Sequence, residues 1–337
     1  MRLETNSHRF CVAPMLDWTD RHERYFLRLL SRRARLYSEM VTTGALLHGD
    51  VKRHLAFDPA EQPVALQLGG SDPQDLARCA VLGADAGYCE INLNVGCPSD
   101  RVQSGRFGAC LMADREIVAM GVQAMKRAVD IPVTVKCRTG INTLDSDVFL
   151  QDFIAAVQEA GCDVLIIHAR IALLEGLTPR ENRDIPPLNY QRVQRMKERF
   201  PDMPIVINGG IRSLDQAEQL LAGLDGVMVG REAYHNPWLL SEVDSRLFAE
   251  DRNVDSRTQA LQKFLPYVER ELIAGTSLQH MTRHILGIFH GVPGGKAFRR
   301  HLSENAWRKN AGLSVLEDAL GKVTEFAWND EAEDIHA

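Results

Sequence analysis

The residues best suited to chemistry recur in one kind of place, the end of a short β-branched run. Gln67 ends PVALQL, Asn92-Leu93-Asn94 ends YCEINLN and Lys136-Cys137-Arg138 ends VTVKCR. His168-Ala169-Arg170 ends VLIIHAR, Asn208-Gly209-Gly210 closes PIVING and its turn, and Gly230-Arg231 follows GVMV. Side-chain amides at Gln67 and Asn94 offer donors and acceptors together, as the edge of a heterocycle requires. A lysine on a strand must be paired or face a ligand, because an unpaired buried ammonium is costly. For Lys136 the available partners are Glu90 and Glu39. A long loop, NVGCPSDRVQSGRFGACLM (94–112), adds two thiols, Cys97 and Cys110. A thiol, with a reference pKa of about 8.5, is mostly protonated near neutrality yet gives its proton up readily.

These residues need a frame that gathers strand ends on one rim. Eight such runs occur: Phe10–Met15, Leu36–Val41, Pro63–Leu68, Tyr88–Asn94, Val133–Arg138, Val164–Arg170, Pro204–Gly209 and Gly226–Gly230. Most are separated by segments of helical periodicity with readable starts. Ser71-Asp72-Pro73, Asp114-Arg115-Glu116 and Ser213-Leu214-Asp215 each place a capping residue before a helix. Eight strand–helix units predict a (β/α)8 TIM barrel, in which ligands bind at the C-terminal ends of the strands. A doubly wound sheet is the competitor, and no G-x-G-x-x-G after the first strand speaks for it. After Trp238 the rhythm stops. Residues 245–258 are polar, and helical patterns without strands follow from Arg257. The expected domains are a barrel over 1–244 and an all-helical domain over 245–337.

In such a barrel the loops after strands seven and eight are the usual phosphate site. Glycines at 209, 210 and 230 let backbone N–H groups approach an anion. The helix opening at Ser213 adds partial positive charge, and Arg231 adds a fork of donors. The Lys136 cation, set beside the pyrimidine edge of a flavin, would stabilise the reduced ring.

Bulk properties narrow the class. The chain has 337 residues, 45% hydrophobic and 25% charged, with a formal net charge of -6. That charge gives no global attraction to nucleic acid, so RNA binding would need local patches. Two exist. In 21–35, six arginines (21, 24, 28, 32, 33, 35) face one acid, Glu23. In 283–309, Arg283, Lys296, Arg299, Arg300, Arg308 and Lys309 face only Glu304. Lys296, Arg299 and Arg300 fall on one helical face, after Gly294-Gly295. Phe298 and Trp307 are assigned to packing. The seven cysteines include no C-x-x-C pair, so neither a disulfide scaffold nor a metal site is expected. No apolar run approaches the ~18 residues of a membrane span, and the first residues lack a signal peptide's apolar core. A cytoplasmic protein without a membrane role is expected, and no protein partner is implied.

The motifs in order resemble those of the FMN-dependent tRNA-dihydrouridine synthases. They are Ala13-Pro14-Met15, Asn94-x-Gly96-Cys97-Pro98, Gly108-Ala109-Cys110-Leu111-Met112, Lys136-x-Arg138-x-Gly140, His168-Ala169-Arg170 and Asn208-Gly209-Gly210. The resemblance runs from residue 10 to about 310. Asp17-Trp18-Thr19-Asp20-Arg21, Asn182-Arg183-x-Ile185-Pro186-Pro187-Leu188 and Leu302-Ser303-Glu304-Asn305 are similar to the bacterial A-type subfamily, which modifies uridines 20 and 20a of the tRNA D-loop.

The resemblance implies FMN at the barrel mouth, NADPH as reductant and tRNA as substrate. It places Pro14, Met15, Leu16, Gln67, Lys136, His168, Asn208, Gly209, Gly210, Gly230 and Arg231 at the cofactor. Asn94, Arg138, Arg170, Arg180, Arg183, Lys296, Arg299 and Arg300 would contact the tRNA. Reduction of the uracil C5=C6 bond takes a hydride at C6, from reduced FMN, and a proton at C5. The family pattern assigns that proton to the cysteine of Gly-Ala-Cys, Cys110, with Gly105 and Gly108 letting the segment swing; Cys97 then shapes the loop. Another flavin barrel acting on a small molecule, of the dihydroorotate-dehydrogenase or ene-reductase kind, would share the phosphate site but not need a basic helical domain. A non-catalytic RNA-binding protein is the second alternative.

Overall fold

The computed structural model describes residues 7–327. The eight expected runs are eight strands: β1 (Phe10–Val12), β2 (Leu36–Thr42), β3 (Val64–Gly69), β4 (Glu90–Val95), β5 (Val133–Arg138), β6 (Val164–His168), β7 (Ile205–Asn208) and β8 (Gly226–Val229). All neighbours pair in parallel, in the order β1-β8-β7-β6-β5-β4-β3-β2. The seam closes by a parallel bridge from Cys11 to Arg35, where Val12 N–H donates to the Arg35 carbonyl and Arg35 N–H to that of Phe10, both at 2.9 Å. The result is a TIM barrel. Helix starts follow the capping logic: Asp72 accepts from the Gln74 and Asp75 amides, with Pro73 in the first turn, and Ser213 accepts from the Gln216 amide.

Strand parity divides each run between two faces. Ile91, Leu93, Val133, Val135, Leu165, Ile167, Ile205 and Ile207 alternate with the inward positions and are fully buried. The inward residues split the barrel into unlike halves. Cys11, Ala13, Tyr37, Ala65, Val164, Ile166, Val206 and Met228 form one apolar cluster. Beside them, β4 carries Glu90, Asn92 and Asn94 at alternate positions, flanked by Gln67 of β3 and Thr134 of β5, all buried.

Glu90 lies at the N-terminal end of β4 and is fully buried. It accepts from Arg35 Nη1 (3.1 Å), Tyr37 OH (2.9 Å) and Thr134 Oγ1 (2.5 Å), and its Oε2 lies 2.7 Å from His8 Nε2. Burial pushes its pKa up, but His8, Arg35 and Thr134 together outweigh that and bring it to about 2.

By its contacts the chain divides into two compact units. The barrel unit takes residues 7–19 and Ala34–Gly230; the second takes Asp20–Arg33 and 231–327. Two stretches from within 1–244, Asp20–Arg33 and 231–244, thus group with the helices that follow. The second unit is helical: α1 (Arg21–Leu30), α2 (Arg257–Ile273), α3 (Gly295–Asn305), α4 (Leu313–Ala327) and shorter turns. Aromatic contacts join α1 to α2, Phe26 against Phe264 (ring centroids 5.2 Å apart) and Tyr25 against Tyr267 (3.9 Å). The buried Asp244 carboxylate accepts from Ser31 Oγ (2.5 Å) and from the amides of Arg32 (2.8 Å) and Arg33 (3.2 Å).

Much of the first basic patch is engaged within the protein, although Arg21, Arg32 and Arg33 keep part of their side chains exposed. Arg24, Arg28 and Arg35 are buried. Arg28 donates to the carbonyls of Ser31 and Arg32 at the end of α1, and Arg35 to Glu90. Arg21 makes a two-pronged bond to Glu271 at 3.1 and 2.5 Å, and Arg32 and Arg33 face Asp244 and Glu250. These arginines hold helix ends and acids of their own units.

Glu90 predicts a measurable acid sensitivity. Its folded pKa lies below the ordinary 4.5, so its stabilisation is complete above about pH 4.5 and is lost as pH falls toward about 2. Glu90→Gln should flatten that part of the urea-midpoint-against-pH curve. At pH 7 the same variant should cost about 3–5 kcal/mol, because Arg35 is left buried without its carboxylate.

Candidate active site at the barrel mouth

The polar half of the barrel is joined by side-chain bonds from strand to strand. Thr134 is bonded by Asn92 Nδ2 (2.8 Å), Asn92 Oδ1 by Gln67 Nε2 (2.8 Å) and Gln67 Oε1 by Asn94 Nδ2 (2.9 Å). Asn94 Oδ1 then accepts from the amides of Gly96 (3.1 Å) and Cys97 (3.0 Å). Gln67 and Asn94, both expected at the site, are thus locked to each other. Asn92, noted at the end of its run but given no site role, and Thr134, which sequence reasoning did not single out, are their neighbours. The signal for them is the alternation Glu90-Asn92-Asn94 against Ile91-Leu93-Val95.

Lys136 follows two residues after Thr134, on the same face of β5. Neither expected carboxylate pairs with it: its ammonium has no hydrogen bond or ion pair among the described residues, and Glu90 is taken by His8 and Arg35. Burial, aided by the Arg138 guanidinium nearby, pushes its pKa down to about 8. Arg138 itself is 3% exposed and bonds backbone, Nε to Gly96 O (3.1 Å) and Nη1 to Ile171 O (3.2 Å) and Asn182 O (3.0 Å). It ties the loop after β4 to the loop after β6. Buried Asn182 anchors the latter through bonds to Leu173, Leu177 and Thr178.

His168 ends β6 in a buried position. Burial, with the charges of Arg138, Lys136, Arg170 and Arg183, holds its pKa well below the usual imidazole range, so the ring is neutral at pH 7. Its edge explains Gly209. A Cβ there would lie 2.7 Å from His168 Cδ2, and φ is +119°. The Gly209 carbonyl accepts from Tyr190 OH, and Asn208 Nδ2 donates to Met228 O (2.8 Å), tying β7 to β8. No acceptor is found among the described residues for the amides of Gly210 and Ile211. At Gly230 an added Cβ would meet nothing closer than 3.6 Å, so protein packing does not demand glycine there. Arg231 opens the short helix Arg231–His235. After β1, Pro14, Met15 and Leu16 lead into a turn in which Met15 N–H donates to Thr19 Oγ1 (2.9 Å). Met15 packs on the apolar cluster, and Leu16 is 68% exposed.

The two-thiol loop crosses the ends of β3, β4 and β5. A Cβ on Gly69 would lie 2.9 Å from the Phe107 ring, and one on Gly96 would lie 3.4 Å from the Cys137 carbonyl carbon. Gly108 serves closeness rather than swing: its φ is +76°, and a Cβ would lie 2.6 Å from Cys97 O. Ala109 N–H donates to that same carbonyl at 2.9 Å. Both thiols are free and half-buried, but their surroundings differ. Cys97 lies near the Lys136 and Arg138 cations. Cys110 Sγ donates to Phe107 O (3.1 Å), burial pushes its pKa up, and the charge beside it is Asp114.

Of the expected RNA contacts on the barrel, Arg170 is half-buried and donates to the carbonyls of Asp184 and Pro186, while Arg180 and Arg183 are exposed. In the helical unit, α3 turns Phe298 and Leu302 inward and leaves Lys296 and Arg300 exposed, with Arg299 half-exposed. Gly294 caps α3 with φ +79° and no side-chain bond. Phe298 packs on Phe289, as expected; Trp307 does not pack and is 63% exposed. Among the described residues no group of three His, Cys, Asp or Glu side chains is arranged to hold a metal, and no helix is long and apolar enough to cross a membrane.

Comparison with known proteins gives this rim a context. Residues 11–324 match the model of a family described as dihydrouridine synthase. The tRNA-dihydrouridine(20/20a) synthase of Vibrio cholerae is 58% identical over 320 residues, covering 95% of this chain and 98% of that protein. Proteins of the same name from Yersinia pestis and Shewanella oneidensis are 57% and 58% identical. They cover 94% and 93% of this chain and 92% and 93% of their own lengths. With the match spanning the barrel and most of the helices after it, the chain belongs to the dihydrouridine synthase family.

Proposed function

We propose that this chain reduces uridine to 5,6-dihydrouridine in tRNA, at D-loop positions 20 and 20a, with FMN at the barrel mouth, NADPH as reductant and the cytoplasm as its compartment. The observation that carries this reading is the unpaired Lys136 ammonium, set among buried amides at the ends of β3–β5. Kinship with relatives named tRNA-dihydrouridine(20/20a) synthase supports the substrate.

The residues fit an anionic cofactor. Gly210 and Ile211 have amides without acceptors, and Gly230 leaves room that a side chain would fill. Asn208, Gly209, Gly210, Gly230 and Arg231 would hold the phosphate. Gln67, Lys136 and His168 would hold the polar edge, and Pro14, Met15 and Leu16 the remaining side. When bound, a flavin supplies the hydride taken up at C6 of the uracil. The rest falls to the chain's own groups. Lys136 places a positive charge where negative charge gathers, and neutral His168 offers a donor without adding to that charge. The tRNA must turn its base out of the stack, at a cost of a few kcal/mol. Asn94 then meets the base, Arg138 holds the rim, and Arg170, Arg180, Arg183 and the helical residues from 245 onward contact phosphates. Lys296, Arg299 and Arg300 lead that contact, and exposed Trp307 gives a base a face to stack on.

We assign the proton at C5 to Cys97 in place of Cys110. What supports Cys97 is its place near Lys136 and Arg138 at the end of β4, with its amide held by Asn94 Oδ1 at the same rim. Cys110 instead commits its proton to Phe107 O and sits where burial makes the thiol hold it.

Cys97→Ala should lower dihydrouridine formation by about 10²–10⁴-fold, the usual worth of a general acid, while keeping flavin and its reduction by NADPH. Cys110→Ala should stay within about tenfold of wild type. The reverse pattern in a mass-spectrometric dihydrouridine assay returns the role to the Gly-Ala-Cys thiol. NADPH oxidation that depends on a free small molecule and not on tRNA removes the proposed function, and a colourless protein leaves an RNA-binding role.

Lys136→Met should raise the melting temperature of flavin-stripped protein at pH 7 and weaken flavin retention. A lysine whose folded pKa is depressed opposes folding while charged. The wild type should therefore regain stability relative to the variant as pH climbs from about 8 toward 10.5. Replacing Lys296, Arg299 and Arg300 together with Ala should weaken tRNA binding. It should also reduce the slope of log K against log salt by roughly 2–3, about 0.7–0.9 per lost phosphate contact.

A further inference from the structure

The hydrogen bonds across the polar half of the barrel have a direction that their ends fix. Glu90 is charged and accepts only. Thr134 therefore donates its hydroxyl proton to Glu90 Oε1 (2.5 Å), and its oxygen is left to accept from Asn92 Nδ2 (2.8 Å). That sets Asn92 Oδ1 toward Gln67 Nε2 (2.8 Å), and Gln67 Oε1 toward Asn94 Nδ2 (2.9 Å). At the far end the amides of Gly96 and Cys97 donate only, and Asn94 Oδ1 meets both, at 3.1 and 3.0 Å. Carboxylate and backbone thus demand the same orientation of all three side-chain amides. Turning any one over would set donor against donor or acceptor against acceptor where Gln67 and Asn92 are no more than 1% exposed.

The consequence appears at Asn94, which keeps 9% exposure at the mouth. Both lone pairs of its oxygen are used, and one hydrogen of its nitrogen is used. What remains is a single N–H. We propose that Glu90, Thr134 and Asn92 are positioning residues that make Asn94 a donor only, so that the site accepts a pyrimidine edge bearing a carbonyl oxygen and rejects one bearing an amino group. The choice of pyrimidine rests on the uridine reading above; the orientation of the amides does not.

Thr134→Val keeps the shape of the side chain and removes both bonds, while Thr134→Ser keeps the hydroxyl. Two readouts separate positioning from mere structure. The first is the rate at which Cys97 is alkylated by iodoacetamide, followed by peptide mass spectrometry without tRNA or NADPH. Thr134→Val should raise it about tenfold, since Asn94, then oriented from the backbone end alone, holds the Cys97 amide less firmly, and Thr134→Ser should match wild type. The second is competition by tRNA carrying cytidine in place of the target uridine. Thr134→Val should narrow the uridine preference about tenfold, the equivalent of one hydrogen bond, and Ser should restore it. If Thr134→Val does not fold by circular dichroism, Asn92→Leu carries the same expectations. A folded variant with wild-type alkylation and wild-type discrimination overturns the proposal. A wild-type enzyme that forms no dihydrouridine overturns the functional reading instead, and the alkylation contrast still decides the orientation.

Discussion

A carboxylate with no access to water sets the terms for the barrel. Glu90 lies where an isolated charge would be intolerable, and two bases and two hydroxyls converge on it. Because its partners come from the N-terminal segment, β2 and β5, one side chain draws together elements far apart in sequence. The seam between β1 and β2, held by few backbone bonds, passes through Arg35 and so through this cluster.

Lys136 presents the opposite case on the same side of the barrel. It is half-buried on an otherwise buried strand, yet no acid pairs with it among the described residues. A fold that satisfies Glu90 so fully leaves Lys136 without an acid among the described residues, and under the proposed function that charge is kept for the cofactor. Between the two stand the amides of Asn92, Gln67 and Asn94, which turn a fixed charge at one end into fixed donor geometry at the other.

The sequence made the frame legible because barrel strands are short, β-branched and regularly spaced; all eight runs became strands, with ends shifted by at most three residues. The rim was legible for the same reason, since polar residues that close a buried strand have few places to go. Two things were not. Charge runs do not say what they face: five of the six arginines of 21–35 reach Glu90, Asp244, Glu250, Glu271 or helix-end carbonyls. Loop glycines do not say whether they loosen or tighten: Gly108 lies against Cys97 too closely for any side chain. In both cases the deciding partner is distant in sequence, and only folding brings it near.

The helical unit is not one continuous stretch of chain. During synthesis α1 leaves the ribosome with its aromatic face, Tyr25 and Phe26, while Phe264 and Tyr267 are still more than two hundred residues away. Nearly the whole barrel must emerge before that face is covered. The gap between β1 and β2 thus keeps a helix with an uncovered aromatic face waiting through most of translation, a natural point for chaperone capture and for misfolding of truncated products.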